Sequence, residues 1–262
     1  MTPLTSLKNP KVQALRALSR QGKARRETGL FLAEGEHMAG EALKEAQART
    51  LLITQGREER YSALIGQAEK QGVPVQPVSE GVMAAVCDVK TPQGAAAVCP
   101  LPELSRTLTA QVIVALEDVQ DPGNVGTILR TLDALGFGGV LLTPGCADPF
   151  SPKALRASMG AVFRVPVAQT EDMGESLTKY HALGYVSMAG TLDGQPFYER
   201  PRDPEKTLLL IGNEGAGLSD RVKSLAGQRV KLPMRGGAES LNAAVACAVM
   251  LYDMERRRGT DA

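Results

Sequence analysis

Three stretches of this 262-residue chain gather amide, carboxylate and guanidinium side chains among glycines. In DVQDPGNVGTILR, residues 118–130, an Asp-Pro-Gly turn leads into a helix with Asn124 near its N-cap. A helix start of this kind offers unpaired N–H groups that suit a phosphate or carboxylate. Arg130 falls two turns in, near Ile128, Leu129 and Leu132, and must find a polar partner or reach solvent. In IGNEGAGLSD, residues 211–220, Gly212, Gly215 and Gly217 let the backbone approach a ligand closely, and Glu214 stands among them. In LPMRGGAESLN, residues 232–242, Ser240 is the expected N-cap of a closing helix, and Asn242 then lies one turn inside an apolar face. A buried amide there needs partners, so Asn242 is expected to orient a neighbouring loop. Taken singly, each stretch also reads as an ordinary capped turn or a tightly packed helix. Their order, each at a strand end, carries the functional reading.

The elements that must position these loops follow from hydrophobic spacing. Asn9 to Arg26 reads as one amphipathic helix with a cationic face. A strand around Phe31, a helix from about Gly35, a strand at Thr50–Thr54, a helix over Tyr61–Gln71 and strands at Val73–Val78 and Ala95–Val98 make a small α/β module. CPLPELSR, residues 99–106, carries two prolines in a short polar stretch and reads as a linker. Beyond it QVIVALE, residues 111–117, is the continuous apolar run of a central parallel strand. Helices at 125–135, 152–159, 173–183 and 240–258 then alternate with strands at 139–143, 165–168, 185–189, 207–211 and 229–232. That pattern predicts a parallel sheet of about six strands, with ligands outside the C-terminal strand ends.

Composition narrows the function classes. Hydrophobic residues make up 43% and charged residues 23%, an ordinary globular balance that excludes a disordered or fibrous chain. No apolar run approaches the roughly 20 residues that span a bilayer, and Met1–Arg26 has no apolar signal core, so a cytoplasmic protein without a membrane partner is expected. Cys87, Cys99, Cys146 and Cys247 show no CxxC pairing, and His37 and His181 stand at no ligand spacing from them, so neither a disulfide framework nor a metal site is expected. Net charge is only +1, yet Lys8, Lys11, Arg16, Arg20, Lys23, Arg25 and Arg26 precede the first acid, Glu27. That cationic segment reads equally as a solvated surface helix or as a contact to nucleic-acid phosphates. The dinucleotide and P-loop fingerprints both fail at Gly215–Asp220, and the loop comes near the end of its domain rather than in its first βα turn.

Together DPGNVGTILRT, IGNEGAGLSD and LPMRGGAESLNAAVACAVMLYD resemble the three motifs of the SpoU (TrmH-type) family of RNA 2′-O-ribose methyltransferases, in the SPOUT superfamily. The resemblance spans about Val112–Arg258. It implies an α/β fold: residues 111–262 as a SPOUT methyltransferase domain with a parallel sheet and a deep trefoil knot, a linker at 101–110, and residues 1–100 as a small L30e-like RNA-substrate-binding domain. It also implies S-adenosylmethionine as cofactor and a homodimer. By position, Gly212, Leu232, Met234, Ser240 and Leu241 would contact the cofactor. Asn124, Arg130, Glu214, Ser240 and Asn242 are the matched polar residues of the catalytic region. KALRASMGA, residues 153–161, resembles a further family segment that supports RNA contact. Where the family often has Val-Ser after Ser-Leu-Asn, this chain has Ala243 and Ala244, which removes one hydroxyl.

The implied reaction moves a methyl group from a sulfonium to a ribose 2′-oxygen and needs no metal. Arg130 is the expected activating residue, as a stabiliser of developing alkoxide charge or a clamp on the adjacent phosphate, because a guanidinium is nearly always charged and so a poor base. Asn124 and Glu214 would orient Arg130 or the ribose. RNA would be held by the seven N-terminal cations together with Lys153 and Arg156, largely through phosphates. Large-subunit ribosomal RNA is favoured as the substrate, with tRNA as the alternative. A non-catalytic RNA-binding or assembly factor is the rival class, and an unrelated nucleotide-dependent oxidoreductase a third.

Overall fold

The computed structural model describes residues 2–45, 47–104, 107–201 and 203–259. Ser105 and Arg106, inside the expected linker, lie outside the described residues. The chain divides into two compact units.

The first unit holds α1 (Pro10–Arg20), α2 (Gly22–Thr28), β1 (Leu30–Glu34), α3 (Glu36–Lys44), β2 (Thr50–Thr54), α4 (Ser62–Lys70), β3 (Val75–Val78), α5 (Glu80–Val86) and β4 (Ala95–Pro100). Its sheet runs β1-β4-β2-β3, with β4 antiparallel to both neighbours and β2–β3 parallel. Asn9 caps α1 by accepting from the Lys11 N–H at 2.9 Å, with Pro10 supplying the preset first-turn φ. The expected single helix over residues 9–26 is in fact two. Gln21 is extended at φ −130°, ψ 113°, and the break lets α2 turn Arg25 inward. Val12 and Leu18 of α1 join Val82, Met83 and Val86 of α5 in the core; α5 is too short to show a helical repeat in the sequence.

The second unit begins with β5 (Val112–Leu116), α6 (Pro122–Leu135) and β6 (Val140–Leu142). At Asp148 the chain leaves it. Asp148–Arg164, with α7 (Pro152–Ser158) and a 3₁₀ turn at Ala161–Phe163, packs with the first unit. The expected boundary at residue 111 therefore does not divide the packing. Phe150 and Phe163 sit at 5.2 and 5.9 Å from the Phe31 ring, and Arg156 pairs with Glu34 and with Asp88 at 3.0 Å. Buried aromatic area and paired charges of first-unit residues hold the excursion there.

The second unit resumes with β7 (Val167–Gln169), α8 (Met173–Ala182), β8 (Val186–Pro196), β9 (Thr207–Ile211), α9 (Asp220–Leu225), β10 (Gln228–Lys231) and α10 (Ala243–Gly259). Its six strands are all parallel, in the order β10-β8-β9-β5-β6-β7. Every residue of β5 and β9 is buried, as strands covered on both faces require. From β5 the chain builds outward through β6 and β7, then returns to the other side of β5. That reversal opens a crevice at the tips of β5 and β9, where ligands of open α/β sheets bind. No described helix is long and apolar enough to cross a membrane.

Candidate functional site

The first loop leaves β5 through Asp118, whose φ of 54° is left-handed, a conformation costing a non-glycine residue about 1 kcal/mol. The helix cap is Asp121, whose carboxylate accepts from Gly123 N–H at 2.6 Å and Asn124 N–H at 3.2 Å, with Pro122 first in the helix. Asn124 is thus the third helical residue, 7% exposed, with its side chain free to reach across loops.

The second loop starts at Gly212, where any Cβ would collide with the backbone of Gly217 and Leu218, so only glycine fits. Asn213 and Gly217 exchange backbone hydrogen bonds at 3.1 and 2.9 Å. The Asn213 Oδ1 accepts from Gly215 and Ala216 N–H at 2.9 Å each, closing the turn that presents Glu214. That carboxylate accepts from the N–H groups of Gln120 and Asp121 at 3.1 Å and from Asn124 Nδ2 at 2.8 Å. Burial alone would raise its pKa, but the donors from Asn124, Asp121 and Gln120 outweigh it and hold Glu214 below the ordinary value.

The third loop corrects the expected helix start. α10 begins at Ala243, and its cap is Asn242, which accepts from Ala244 and Val245 N–H at 2.9 and 3.2 Å. Ser240 is exposed and makes no hydrogen bond among the described residues. Asn242 donates through Nδ2 to Asn124 Oδ1 at 2.9 Å. Asn242, Asn124 and Glu214 therefore form one relay joining all three loops.

The Arg130 side chain reaches solvent and has no hydrogen bond or ion pair among the described residues; Glu214 and Asn124 hold backbone and each other rather than Arg130. Leu232 and Met234 are half-buried, Leu241 is exposed, and Gly212 is buried. Backbone groups of residues 232–241 make no hydrogen bond among the described residues. Free peptide donors and acceptors beside three apolar side chains suit a ligand such as S-adenosylmethionine, with its polar amino-acid and ribose groups and its flat base.

Residues that the spacing did not single out also tie the loops. Asn213 Nδ2 donates to the Asp118 carbonyl at 2.8 Å, and Glu117 accepts both the N–H and the hydroxyl of Ser219 at 2.7 Å. An Asn preceding an acid between glycines is a turn former, a signal that was present in the sequence.

The nine candidate RNA cations have diverse surroundings. Lys8, Lys11, Arg20 and Arg26 are exposed and Arg16 is half-buried, all five without side-chain partners among the described residues. Gln13, Arg16, Ala17, Arg20 and Gln21 line a shallow cleft of about 280 Å³ along α1. Lys23 pairs with Glu27 at 3.7 Å. Arg25 is a correction: it donates to Asp148 at 2.9 and 2.6 Å and to the Leu18 carbonyl at 2.6 Å, and at 4% exposure it is out of reach of a phosphate. Arg156 is likewise engaged by Glu34 and Asp88, and Lys153 is exposed on the same helix. All four cysteines are free, and burial pushes the Cys87 and Cys99 thiols up to about 12, so both stay protonated.

A parallel sheet carrying three interlinked loops at its switch point defines an α/β ligand-binding enzyme class. The chain belongs to the SpoU rRNA methylase family, whose sequence profile matches residues 111–252, while residues 9–97 match the MRM3-like substrate binding domain. It is 36% identical over 256 residues to the 23S rRNA (guanosine(2553)-2′-O)-methyltransferase RlmP of Bacillus subtilis (strain 168), covering 97% of this chain and 99% of that one. Among solved structures, the AdoMet-bound rRNA methyltransferase of Sinorhizobium meliloti aligns with a TM-score of 0.84 at 32% identity, over 97% of each chain. The SpoU methyltransferase AviRb of Streptomyces viridochromogenes, in complex with AdoMet, aligns with a TM-score of 0.85 at 29% identity, over 97% of this chain and 99% of that one.

Proposed function

We propose that this chain transfers a methyl group from S-adenosylmethionine to a ribose 2′-hydroxyl of RNA, in 23S ribosomal RNA. The observation that carries the reading is the Asn242–Asn124–Glu214 relay, which holds three loops in one arrangement at the strand tips. Such preorganisation serves a displacement whose main demand on the protein is placement of the attacking oxygen.

The cofactor supplies an electrophilic methyl on a sulfonium that leaves as a neutral thioether. Gly212, Leu232, Met234, Ser240 and Leu241 would hold it through backbone groups and apolar packing. Arg130, charged and unpaired, stabilises negative charge developing on the 2′-oxygen as its proton passes to water, or clamps the neighbouring phosphate. Asn124, Glu214 and Asn242 fix the helix start and loops that carry these groups. Lys8, Lys11, Arg16, Arg20, Arg26 and Lys153 supply phosphate contacts, with Lys23 at the margin. The reading includes the knotted C-terminal threading, the L30e-like character of the first unit and a cytoplasmic location beside its RNA. It also includes a homodimer, supported by Leu241, Val245 and Tyr252, which leave 38%, 48% and 55% exposed apolar surface at α10.

Arg130→Ala tests the reading. Because Arg130 is exposed and unpaired, the variant is expected to keep its fold and its thermal stabilisation by S-adenosylmethionine while turnover drops by about 100-fold or more. Near-normal label transfer to RNA would overturn the assignment.

A further inference from the structure

Asp118 combines three features that the reaction as described does not use. Its backbone is left-handed although it is not glycine. Its N–H donates to Thr143 Oγ1 at 2.9 Å, while the Thr143 hydroxyl donates back to its carboxylate at 2.7 Å. Its carbonyl accepts from Asn213 Nδ2 at 2.8 Å. Thr143 is buried, and Gly145 has no room for a Cβ because the Asp118 carboxylate occupies that space. The neighbouring backbone continues the join: Thr143 N–H donates to the Leu116 carbonyl at 3.1 Å, and Ala147 N–H to the Val119 carbonyl at 2.9 Å.

The segment so joined, 143–147, is the last of the second unit before the chain crosses at Asp148 into the first. We infer that Asp118 is a positioning residue that registers the first catalytic loop against this exit segment. It does so through a reciprocal hydrogen-bond pair with Thr143, and through Asn213 it ties the second loop to the same point. A residue held in a sparsely populated backbone conformation by three hydrogen bonds to two neighbours, Thr143 and Asn213, marks a place where geometry is over-determined, as functional loops require. The inference rests on the methyl-transfer reading, because the loop it registers leads into α6, which carries Asn124 and Arg130.

Four variants test it: Asp118→Gly, Asp118→Asn, Thr143→Val and Thr143→Ser. Glycine adopts the left-handed backbone freely, so Asp118→Gly is expected to fold and to bind S-adenosylmethionine with unchanged affinity. Its kcat on RNA should fall about ten-fold with a smaller change in KM, as misplacement of a catalytic loop predicts. Amide exchange at Gln120, Asp121 and Ala147 should quicken in the same variant. Asn tolerates the conformation and keeps an acceptor for the threonine hydroxyl, so Asp118→Asn should restore both readouts, as should Thr143→Ser. Thr143→Val should match Asp118→Gly, and the double variant should lose no more than either alone. Turnover within two-fold of the intact chain and unchanged exchange in Asp118→Gly would overturn the inference. So would an Asn variant as impaired as the glycine one. If the intact chain transfers no methyl group, the functional reading fails, and the exchange measurements still decide whether Asp118 positions the loop.

Discussion

At the strand tips of the second unit, Glu214 accepts from two backbone N–H groups and one carboxamide, whereas along α1 of the first unit Arg16 and Arg20 have no side-chain partner among the described residues. The carboxylate is used to immobilise backbone; the guanidinium groups are left for something else. Arg25, only one turn beyond Arg20, shows the other fate of a cation in the same segment, drawn inside and closed by Asp148. Charge type and sequence neighbourhood therefore do not separate a structural group from a binding one. Partnership and burial do.

The comparison can be broken first at Arg25. Arg25→Ala strands Asp148 and removes the bond to the Leu18 carbonyl, and is expected to cost about 3 kcal/mol in denaturant unfolding while leaving the salt dependence of RNA binding unchanged. A stable variant with weakened RNA binding would place Arg25 among the phosphate contacts after all. Next come Arg16→Ala and Arg20→Ala, which should leave stability within about 0.5 kcal/mol. Each that contacts a phosphate should make the slope of log affinity against log salt shallower by about 0.7. Unaltered slopes in both would remove α1 from the RNA surface. The smallest effect is expected at Glu214. Its folded pKa lies below the ordinary 4.5, so its contribution to stability is complete above that value and fades as pH falls through the lowered one. The stability difference between the intact chain and Glu214→Gln should be constant from pH 7 to about 5 and shrink on further acidification. A gap that widens in acid would contradict the donor set around this carboxylate.

Much of the architecture was legible because it depends on local pattern. The apolar run 111–117 and the strand at 207–211 emerged nearly to the residue, and six parallel strands follow from their alternation with helices. Asn242 was expected as a buried amide one turn inside the closing helix, but it is exposed and caps α10, a place hidden by Ser240, an equally good capping type two residues earlier. Its expected role in joining a neighbouring loop stands in the bond to Asn124. The short helices α5 and α9 were missed because neither completes enough turns to show a period. β8 was expected to end at Ala189 and runs to Pro196: its pairing with β10 shifts register after Ala189 and resumes at Gln195. The inward turn of Arg25 was invisible because its partner lies 123 residues away, and nothing local sets it apart from Arg26. Asp118 was equally silent, since a left-handed backbone at an aspartate is selected by Thr143 and Asn213 rather than by its own preference.

The excursion at Asp148–Arg164 bears on how such chains can be recombined. Grafting residues 1–103 from one relative onto the remainder of another would part Glu34 and Asp88 from Arg156, and Phe31 from Phe150, at a seam that no cut near residue 103 reveals. A working chimera has to import both stretches together, so the apparent modularity of the linear order understates how much the two halves must be inherited as a matched set.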